Sequence, residues 1–404
     1  MQKFDLLIVG GGMVGLSLAL ACRKLSSMTI AVVDANPPQP LNHEPELRVS
    51  AINAASQTIF ENLGVWSSIV EQRMQPYQHM HVWDVNSAGS LDLNIDDLRG
   101  KRNRESLGTI IENSVVRQAL WQQIEQDQGV TLFTQERIQS LAIGEHEVFA
   151  AFQSQSPIMA KLVVGADGAQ SWVRQQADMP IAFRDYDNHA VVATVNCEQG
   201  HQNTAWQVFL PEGPLAFLPL YNSNQCSIVW STSPEKANAI SSMAPEEIGK
   251  ELTALSSGKL GRVSIASDTA TFPLTMRLAH QFVKDRAVLV GDAAHTIHPL
   301  AGQGVNLGLL DAMALAQHLS MGFEDDALLA KQLAQYSRWR RAEAANMVAA
   351  MEAIKQIFTP QQPIIKAARG FGMEMLSQLK PVKSKMIEQA LGLVGDLPEL
   401  AKNT

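Results

Sequence analysis

The sequence has 404 residues, of which 46% are hydrophobic and 18% are charged. This length suggests two or three domains at roughly 150 residues each, and the composition is that of a chain folded nearly throughout. The net charge of −8 and the pI near 5.7 argue against nucleic-acid binding, because neutralising phosphates needs a dominant basic face. The cysteines Cys22, Cys197 and Cys226 are too widely spaced for a disulfide framework, which fits a reducing, cytoplasmic compartment.

The apolar N-terminal segment 6–22 has a competing interpretation as a secretory signal, since it ends in small residues like those of a cleavage site. Asp5 interrupts the positive region that a signal needs, and three consecutive glycines interrupt the apolar run. We therefore favour a cytoplasmic chain. No other run of apolar residues is long enough to predict a membrane span.

The first 34 residues have the pattern of a βαβ unit. Apolar runs at 4–9 and 29–33 lack polar alternation, as expected for strands buried on both faces of a parallel sheet, and a helical stretch to about Leu25 joins them. Between the first strand and the helix stands a G-x-G-x-x-G motif formed by Gly10, Gly11, Gly12, Met13, Val14 and Gly15. Asp34 ends the second strand, where an acid accepts hydrogen bonds from a ribose. The unit predicts dinucleotide binding, with a purely structural glycine turn as the alternative.

The rest of the chain changes character several times. Residues 106–179 resemble a second α/β region, residues 180–276 carry strand-like runs separated by turns, and a buried strand returns near 287. From about 325 the pattern is helical, with breaks near Pro360, Pro381 and Pro398. We predict an α/β fold in which a discontinuous nucleotide-binding domain is interrupted by an antiparallel-sheet substrate domain. The predicted ranges are 1–75, 106–179 and 277–352 for the first, 76–105 and 180–276 for the second, and 353–404 for a C-terminal helical segment.

Two further motifs place an aspartate at the end of a predicted strand. Asp167 lies in the segment 165–174 and Asp292 in the segment 286–299. Ligands of open α/β sheets bind outside the carboxyl ends of the strands, so Asp292 is expected to contact the ribityl chain of a flavin. Asp167 has the same expected position, with bracing of its own turn as the alternative.

The three motifs, in this order and spacing, resemble those of the FAD-dependent aromatic hydroxylases of the para-hydroxybenzoate hydroxylase type. The resemblance implies a Rossmann-like FAD-binding domain in which Gly10, Gly12, Gly15 and Asp34 hold the ADP half. It implies that Asp292 and the loop after it hold the ribityl and flavin parts. Arg48 and Arg117 stand where arginines of this family approach FAD, with ordinary surface arginines as the alternative.

A closer resemblance, along nearly the whole chain, is to the ubiquinone-biosynthesis hydroxylases. Segments 47–56, 111–115 and 291–308 carry it. Segments 389–393 and 396–399 are most similar to the 2-polyprenylphenol 6-hydroxylase branch, which installs the C5 oxygen, although the C6 hydroxylase branch shares much of the pattern. The resemblance implies that NAD(P)H and O2 hydroxylate a polyprenylphenol through a flavin C4a-hydroperoxide, within a ubiquinone-biosynthesis protein complex. A halogenase or prenyl reductase and a non-catalytic FAD-binding assembly subunit are the alternatives.

The loop after Asp292 has the composition of a flavin site. Its glycines allow close backbone approach, and the following helix start can stabilise negative charge on a reduced flavin. The residues assigned to this role are Pro299, Gly302, Gln303, Gly304, Val305 and Asn306, of which Pro299, Gly302 and Gln303 are the catalytic candidates. His295 and His298 stand three apart, but no third ligand is evident and no metal is predicted.

Two further expectations concern the substrate. Hydroxylation needs an apolar enclosure that excludes water and holds the ring. The predicted enclosure consists of Phe209, Phe217, Leu218, Pro219 and Trp230, each with a plain sheet core as the alternative. A polyprenyl tail must come from a membrane or a carrier, and residues 364–394 mix apolar residues with Lys366, Arg369, Lys380, Lys383 and Lys385. This segment is expected to lie on the inner face of the membrane or against a partner, or else to pack on its own domain.

Overall fold

The computed structural model describes residues 1–42, 44–87, 89–98, 104–297, 304–323, 325–358 and 362–402. Its strands are β1 Gln2–Val9, β2 Ile30–Asp34, β3 Val49–Ile52, β4 Met74–Tyr77, β5 His79–Asp84, β6 Ser90–Asn94, β7 Gly108–Glu112, β8 Val130–Thr134, β9 Ile138–Ile143, β10 Val148–Phe152, β11 Ile158–Gly165, β12 Ile181–Cys197, β13 Thr204–Leu210, β14 Gly213–Pro219, β15 Gln225–Thr232, β16 Val263–Ile265, β17 Ala270–Ala279, β18 Val283–Lys284, β19 Ala287–Leu289 and β20 His295–Thr296. Its α-helices are α1 Met13–Leu25, α2 Ala54–Asn62, α3 Trp66–Val70, α4 Asn113–Glu125, α5 Trp172–Gln176, α6 Pro234–Ser242, α7 Pro245–Leu255, α8 Gly304–Ser320, α9 Asp326–Phe358, α10 Pro363–Gln378 and α11 Lys380–Ala390.

The first sheet has a parallel centre in the order β19, β11, β1, β2, β8. Strands β1, β2 and β11 are almost wholly apolar and buried, as required when helices cover both faces. Helix α1 packs against α4 and α8, and its residues 15–22 are all buried. The carboxyl ends of β1, β2, β11 and β19 therefore lie along one edge, directly before the three glycine-and-aspartate motifs.

The second sheet follows the order β20, β17, β12, β15, β14, β13, β5, β6 and is antiparallel except where β13 pairs with β5. Side chains alternate between its two faces. One face packs against α6 and α7, while Ala216 and Leu218 on the other face pack against Ala51 and Ile110. Ala51 and Ile110 belong to a small third sheet, whose strand order is β3, β7, β4.

Three boundaries in the structure bear on the proposed domain ranges. Strand β17 continues to Ala279, three residues beyond the proposed limit at 276, and β20 joins the second sheet although it lies within the range 277–352. Helix α9 runs without a break across the proposed limit at 352. The hydrogen bonds of strands and helices thus continue across the predicted domain limits. Composition does not reveal where they end.

The C-terminal segment packs against both of the large sheets. Helix α10 contacts β6, and Arg369 on this helix forms a buried ion pair with Asp84 of β5. Farther along, Leu400 and Ala401 are buried in the core of the first sheet. The described helices include none that is long and apolar enough to cross a bilayer.

Candidate functional site

The glycine motif forms a tight turn between β1 and α1. Gly10 has a φ of +114°, and a Cβ atom there would lie 2.3 Å from the carbonyl oxygen of Ala166. A Cβ atom at Gly15 would lie 2.0 Å from the carbonyl oxygen of Gly10. At Gly12, the N-cap residue just before α1, a Cβ atom would meet nothing within 4 Å. Gly10 and Gly15 are thus required by packing, whereas Gly12 borders open space.

The start of α1 is suited to an anion. No side chain caps it, and its first turn contains no acidic residue. The first N–H groups of a helix have no partner within the helix and carry partial positive charge, which favours a phosphate. The site therefore fits the pyrophosphate of a dinucleotide.

Asp34 and Arg117 both bind the glycine loop. The Oδ2 atom of Asp34 accepts a hydrogen bond from the Gly11 amide at 2.6 Å, and Oδ1 accepts one from the Asn36 amide at 2.7 Å. Arg117 donates from Nε to the Gly11 carbonyl at 2.7 Å, and its guanidinium lies 3.4 Å from Asp34 and over the Trp121 ring. The structure brings these two predicted residues together, with Asp34 bracing the loop through hydrogen bonds that the sequence did not suggest.

Asp167 stabilises the turn that follows β11. Its Oδ2 atom accepts hydrogen bonds from the amides of Trp172 at 2.7 Å and Val173 at 3.1 Å, at the start of α5. Its Oδ1 atom is buried and has no partner among the described residues. Asp167 therefore braces its own turn through one carboxylate oxygen, which is the alternative that the sequence analysis left open. The other oxygen stays available to a ligand.

The Gly-Asp motif after β19 meets the glycine motif directly. Gly291 has a φ of +59°, and a Cβ atom there would lie 3.3 Å from the Val14 side chain. Gly308 of α8 is packed equally tightly, because a Cβ atom added there would lie 3.0 Å from the Gly291 Cα and 2.9 Å from the Val14 side chain. Val14, predicted only as part of a motif, is the residue on which the first and third motifs converge.

Asp292 follows Gly291 directly in the chain. Its side chain reaches solvent, yet protein packs closely around it, and this desolvation raises the pKa of its carboxyl above the ordinary value. Positive charge from His295, Arg48 and Arg277 opposes the rise. The Arg48 guanidinium lies 5.2 Å from the ring centroid of Phe272. Arg48 is thus close enough to Asp292 for its charge to act on that carboxyl.

Behind Asp292 lies a buried ionic cluster that the sequence did not reveal. Asp311 of α8 accepts hydrogen bonds from His295 Nε2 at 2.5 Å, from Arg340 Nε at 2.7 Å and from the Gly291 amide at 3.1 Å. Burial alone would raise the pKa of Asp311, but the charges of His295 and Arg340 outweigh it and hold that pKa below its ordinary value. The cluster fixes the Gly-Asp turn to α8 and α9.

The predicted flavin loop is only partly described. Pro299, Gly302 and Gln303, and also His298, lie outside the described residues. Gly304 and Val305 begin α8. The Asn306 side chain is buried, accepting from the Asn53 amide at 3.1 Å and donating to the Ala51 carbonyl at 2.8 Å. Asn306 therefore ties α8 to the third sheet through its side chain, which leaves its backbone for any cofactor.

A mainly apolar cavity of about 220 Å³ lies between the second sheet and residues 47–49 and 113. Its lining is Leu47, Arg48, Val49, Asn113, Ala190, Val192, Gln207, Pro214, Ala216, Leu218, Val229, Ser231, Phe272 and Leu274. Arg48, whose charge acts on Asp292, is part of this wall. A concave apolar site with few polar groups is the usual form of a small-molecule site.

Of the predicted enclosure, Leu218 alone lines this cavity. Phe217 and Trp230 are completely buried on the opposite face of the sheet, against α6 and α7, and strand alternation puts Pro219 on that face as well. Phe209 stacks on Phe358 of α9 at 3.7 Å between ring centroids, in a separate narrow pocket. The sequence analysis chose bulky residues without regard to which face of the sheet each side chain occupies. For the same reason it missed the cavity residues Gln207, Ser231 and Phe272.

Comparisons with known proteins agree with this arrangement. Residues 3–351 match the family model described as FAD binding domain. The chain is 35% identical to 3-demethoxyubiquinol 3-hydroxylase of Escherichia coli, with 97% of this chain and 99% of that protein covered. It is 32% identical to ubiquinone biosynthesis monooxygenase COQ6 of Xenopus tropicalis, over 95% and 92% of the two chains. The crystal structure of p-nitrophenol 4-monooxygenase PnpA from Pseudomonas putida is similar in fold, with a TM-score of 0.77 at 18% identity over 97% and 99% of the chains.

Proposed function

This chain is an FAD-dependent monooxygenase of the ubiquinone-biosynthesis hydroxylase family, and from that premise we propose that it hydroxylates the ring of a polyprenylphenol with NAD(P)H and O2. We assign the reaction to position 6 of a 2-polyprenylphenol, which is the C5 oxygen of the final ring. The resemblance of segments 389–393 and 396–399 to that branch supports this assignment.

A second candidate is hydroxylation at position 3 of a 3-demethoxyubiquinol, which is a more highly substituted ring. The relative from Escherichia coli named 3-demethoxyubiquinol 3-hydroxylase favours it, because the match covers 97% of this chain at 35% identity. The two candidates share cofactor, reductant and cavity. They differ in the ring substituents that the cavity must accept.

The observation that carries the proposal is the cavity on the inner face of the second sheet. Apolar residues, including Phe272, make up most of its wall, and Arg48, whose charge acts on Asp292, belongs to it as well. Such a wall excludes water from a reactive oxygen species and holds an aromatic ring by burial of apolar surface. Positioning is the main demand that this reaction makes on the protein.

The residues present fit FAD. The uncapped start of α1 and the open space at Gly12 suit the pyrophosphate, Asp34 suits the ribose, and Asp292 with the start of α8 suits the ribityl chain and ring. FAD supplies the redox chemistry by which NAD(P)H and O2 hydroxylate a phenol. The protein contributes binding, orientation and exclusion of water.

The substrate's tail and its source complete the proposal. A narrow apolar pocket lined by Phe209, Met351, Ile354 and Phe358 opens near the end of α9. Beyond it the side chains of Ile364 and Phe371 are 83% and 72% exposed. Apolar side chains exposed beside lysines suit a membrane surface. We therefore propose that the protein works in the cytoplasm at the inner membrane face, within a ubiquinone-biosynthesis complex.

The test is consumption of NADH and NADPH by the purified holoprotein, with and without a 2-prenylphenol, and mass spectrometry of the product. We expect the phenol to accelerate flavin reduction and to gain one oxygen atom, and NMR of the product to locate it ortho to the hydroxyl. Oxygenation of a demethoxyubiquinol analogue but not of the 2-prenylphenol would favour the second candidate. FAD-loaded protein that neither responds to the phenol nor oxygenates it would support the non-catalytic assembly role instead.

A further inference from the structure

Two polar side chains of the cavity have no partner within the described part of the protein. Gln207 is 7% exposed and Ser231 is 2% exposed, and neither the amide nor the hydroxyl makes a hydrogen bond to any described residue. Neither polar group belongs to the fully enclosed side-chain atoms that lack a partner, so both reach the open space of the cavity. Polar groups inside proteins are normally hydrogen-bonded, and these two are placed to bind a ligand in the cavity.

The sheet register separates the two side chains. Gln207 on β13 pairs with Ala216 on β14, which pairs with Val229 on β15, and Ser231 follows two residues later on the same face. The two positions are thus two strand spacings apart across the sheet, roughly 10 Å, and two residues apart along it, roughly 7 Å. Ala216 and Val229 lie between them on the same face.

The chemistry of the two groups differs. A glutamine amide offers a donor and an acceptor at the end of a long side chain, so it reaches into the cavity and can both accept from a phenol O–H and donate to its oxygen. Ser231 ends one atom beyond Cβ and stays close to the sheet. Arg48, the charged member of the wall, lies against Phe272 and beside the charge of Asp292.

We propose that Gln207 binds the phenolic hydroxyl of the substrate and thereby sets which ring carbon faces the flavin. The inference rests on the proposed function, because it takes the cavity to be the phenol site. It assigns Gln207 to substrate recognition and leaves FAD binding to other residues.

The experiment is a binding cycle that pairs one protein group with one ligand group. Dissociation constants of 2-prenylphenol and of prenylbenzene, which lacks the hydroxyl, are measured from the change in flavin absorbance of the holoprotein. For Gln207→Leu we expect roughly tenfold weaker binding of the phenol, the usual size of a lost buried hydrogen bond, and less than twofold change for prenylbenzene. Gln207→Met repeats the test with an unbranched side chain of similar length.

Gln199→Leu is the matched control, since Gln199 is an exposed glutamine in the turn after β12 of the same sheet. Circular dichroism and FAD content verify that each variant is folded and loaded. Equal weakening of both ligands by Gln207→Leu, or a hydroxyl-specific loss in Ser231→Ala instead, would overturn the assignment of Gln207 alone. Failure of the unmodified protein to bind the phenol would overturn the proposed function and this inference with it.

Discussion

The Nε2 atom of His295 lies 2.5 Å from the Oδ2 atom of Asp311, and both side chains are buried. Arg340 binds the other carboxylate oxygen, so one aspartate binds an imidazole and a guanidinium in the interior. A buried charge is costly unless it is paired, and removing one partner leaves the others uncompensated. Since His295 and the Gly291 amide both belong to the Gly-Asp turn, Asp311 couples the stability of the fold to the position of Asp292.

Replacing Asp311 with Asn should therefore destabilise the protein strongly. The substitution keeps the shape of the side chain but removes the charge, and we expect a loss of about 3–5 kcal/mol in the free energy of unfolding, measured with urea. Asp326→Asn is the control, because Asp326, which pairs with Arg286 at 2.7 Å, is 60% exposed and the loss of its charge should matter far less. Equal losses in the two variants would mean that the buried cluster has no special weight.

The pairing of Asp311 with His295 and Arg340 also predicts that the stability of the protein depends on pH. The pKa of Asp311 is lowered in the folded state, so the native protein holds fewer protons here than the unfolded chain. Its contribution to stability is complete above the unfolded pKa of an aspartate and is lost as the pH falls through the lower, folded value. The acid limb of a stability curve should be less steep in Asp311→Asn than in the unmodified protein. Parallel acid limbs would contradict the assignment.

Two glycines of the first motif should respond differently to alanine. Gly15→Ala forces a Cβ atom to within 2.0 Å of the Gly10 carbonyl oxygen and should lower the melting temperature of both apoprotein and holoprotein. Gly12→Ala meets no protein atom, so the apoprotein should melt normally, while FAD should bind more weakly because the new methyl group occupies the approach to the phosphates. Calorimetry and flavin fluorescence titration measure the two effects. Normal FAD affinity in Gly12→Ala would show that the cofactor does not approach this turn.

Sequence reasoning succeeded where function depends on the ends of strands. Buried apolar runs and the glycines between them specified β1, α1 and β2, and the aspartates after β11 and β19 were located at the same sheet edge. These features are local, since strand, turn and helix start are adjacent in the chain. The contact between Val14 and Gly291 then follows from the parallel order of the strands.

Reasoning from the sequence failed where the site depends on pairing between distant segments. A shift of one residue moves a side chain to the other face of a sheet, so the bulky residues Phe217 and Trp230 were assigned to the cavity although they belong to the core. Asp311 looks like an ordinary helical residue until α9 brings Arg340 against it. Arg369 was assigned to a basic surface, but the fold buries it against Asp84.

Asp292 should show a conflict between stability and cofactor binding. Its pKa is raised in the folded state, chiefly by desolvation, so the folded protein holds its proton more tightly than the unfolded chain. The associated stability is complete below the unfolded pKa and is lost as the pH rises through the folded value. At neutral pH, Asp292→Asn should therefore leave apoprotein at least as stable as the original, with lower FAD occupancy. Absorbance at 450 nm per protein and thermal melting measure both; full occupancy would remove Asp292 from the cofactor site.

The exposed apolar patch near the C-terminus should bind membranes through Ile364 and Phe371. Deleting residues 364–404 would not test this, because it removes Leu400 from the core and Arg369 from its ion pair. Substituting both patch residues with Glu removes apolar area and adds charge that anionic lipids repel, so sedimentation with phosphatidylglycerol vesicles should fall at least severalfold while FAD content stays constant. Tyr221→Glu, at a 66% exposed aromatic residue in the turn after β14, is the control. Equal retention on vesicles by both proteins would assign the patch to a protein partner or to no partner, and the tail of the substrate would then need a carrier.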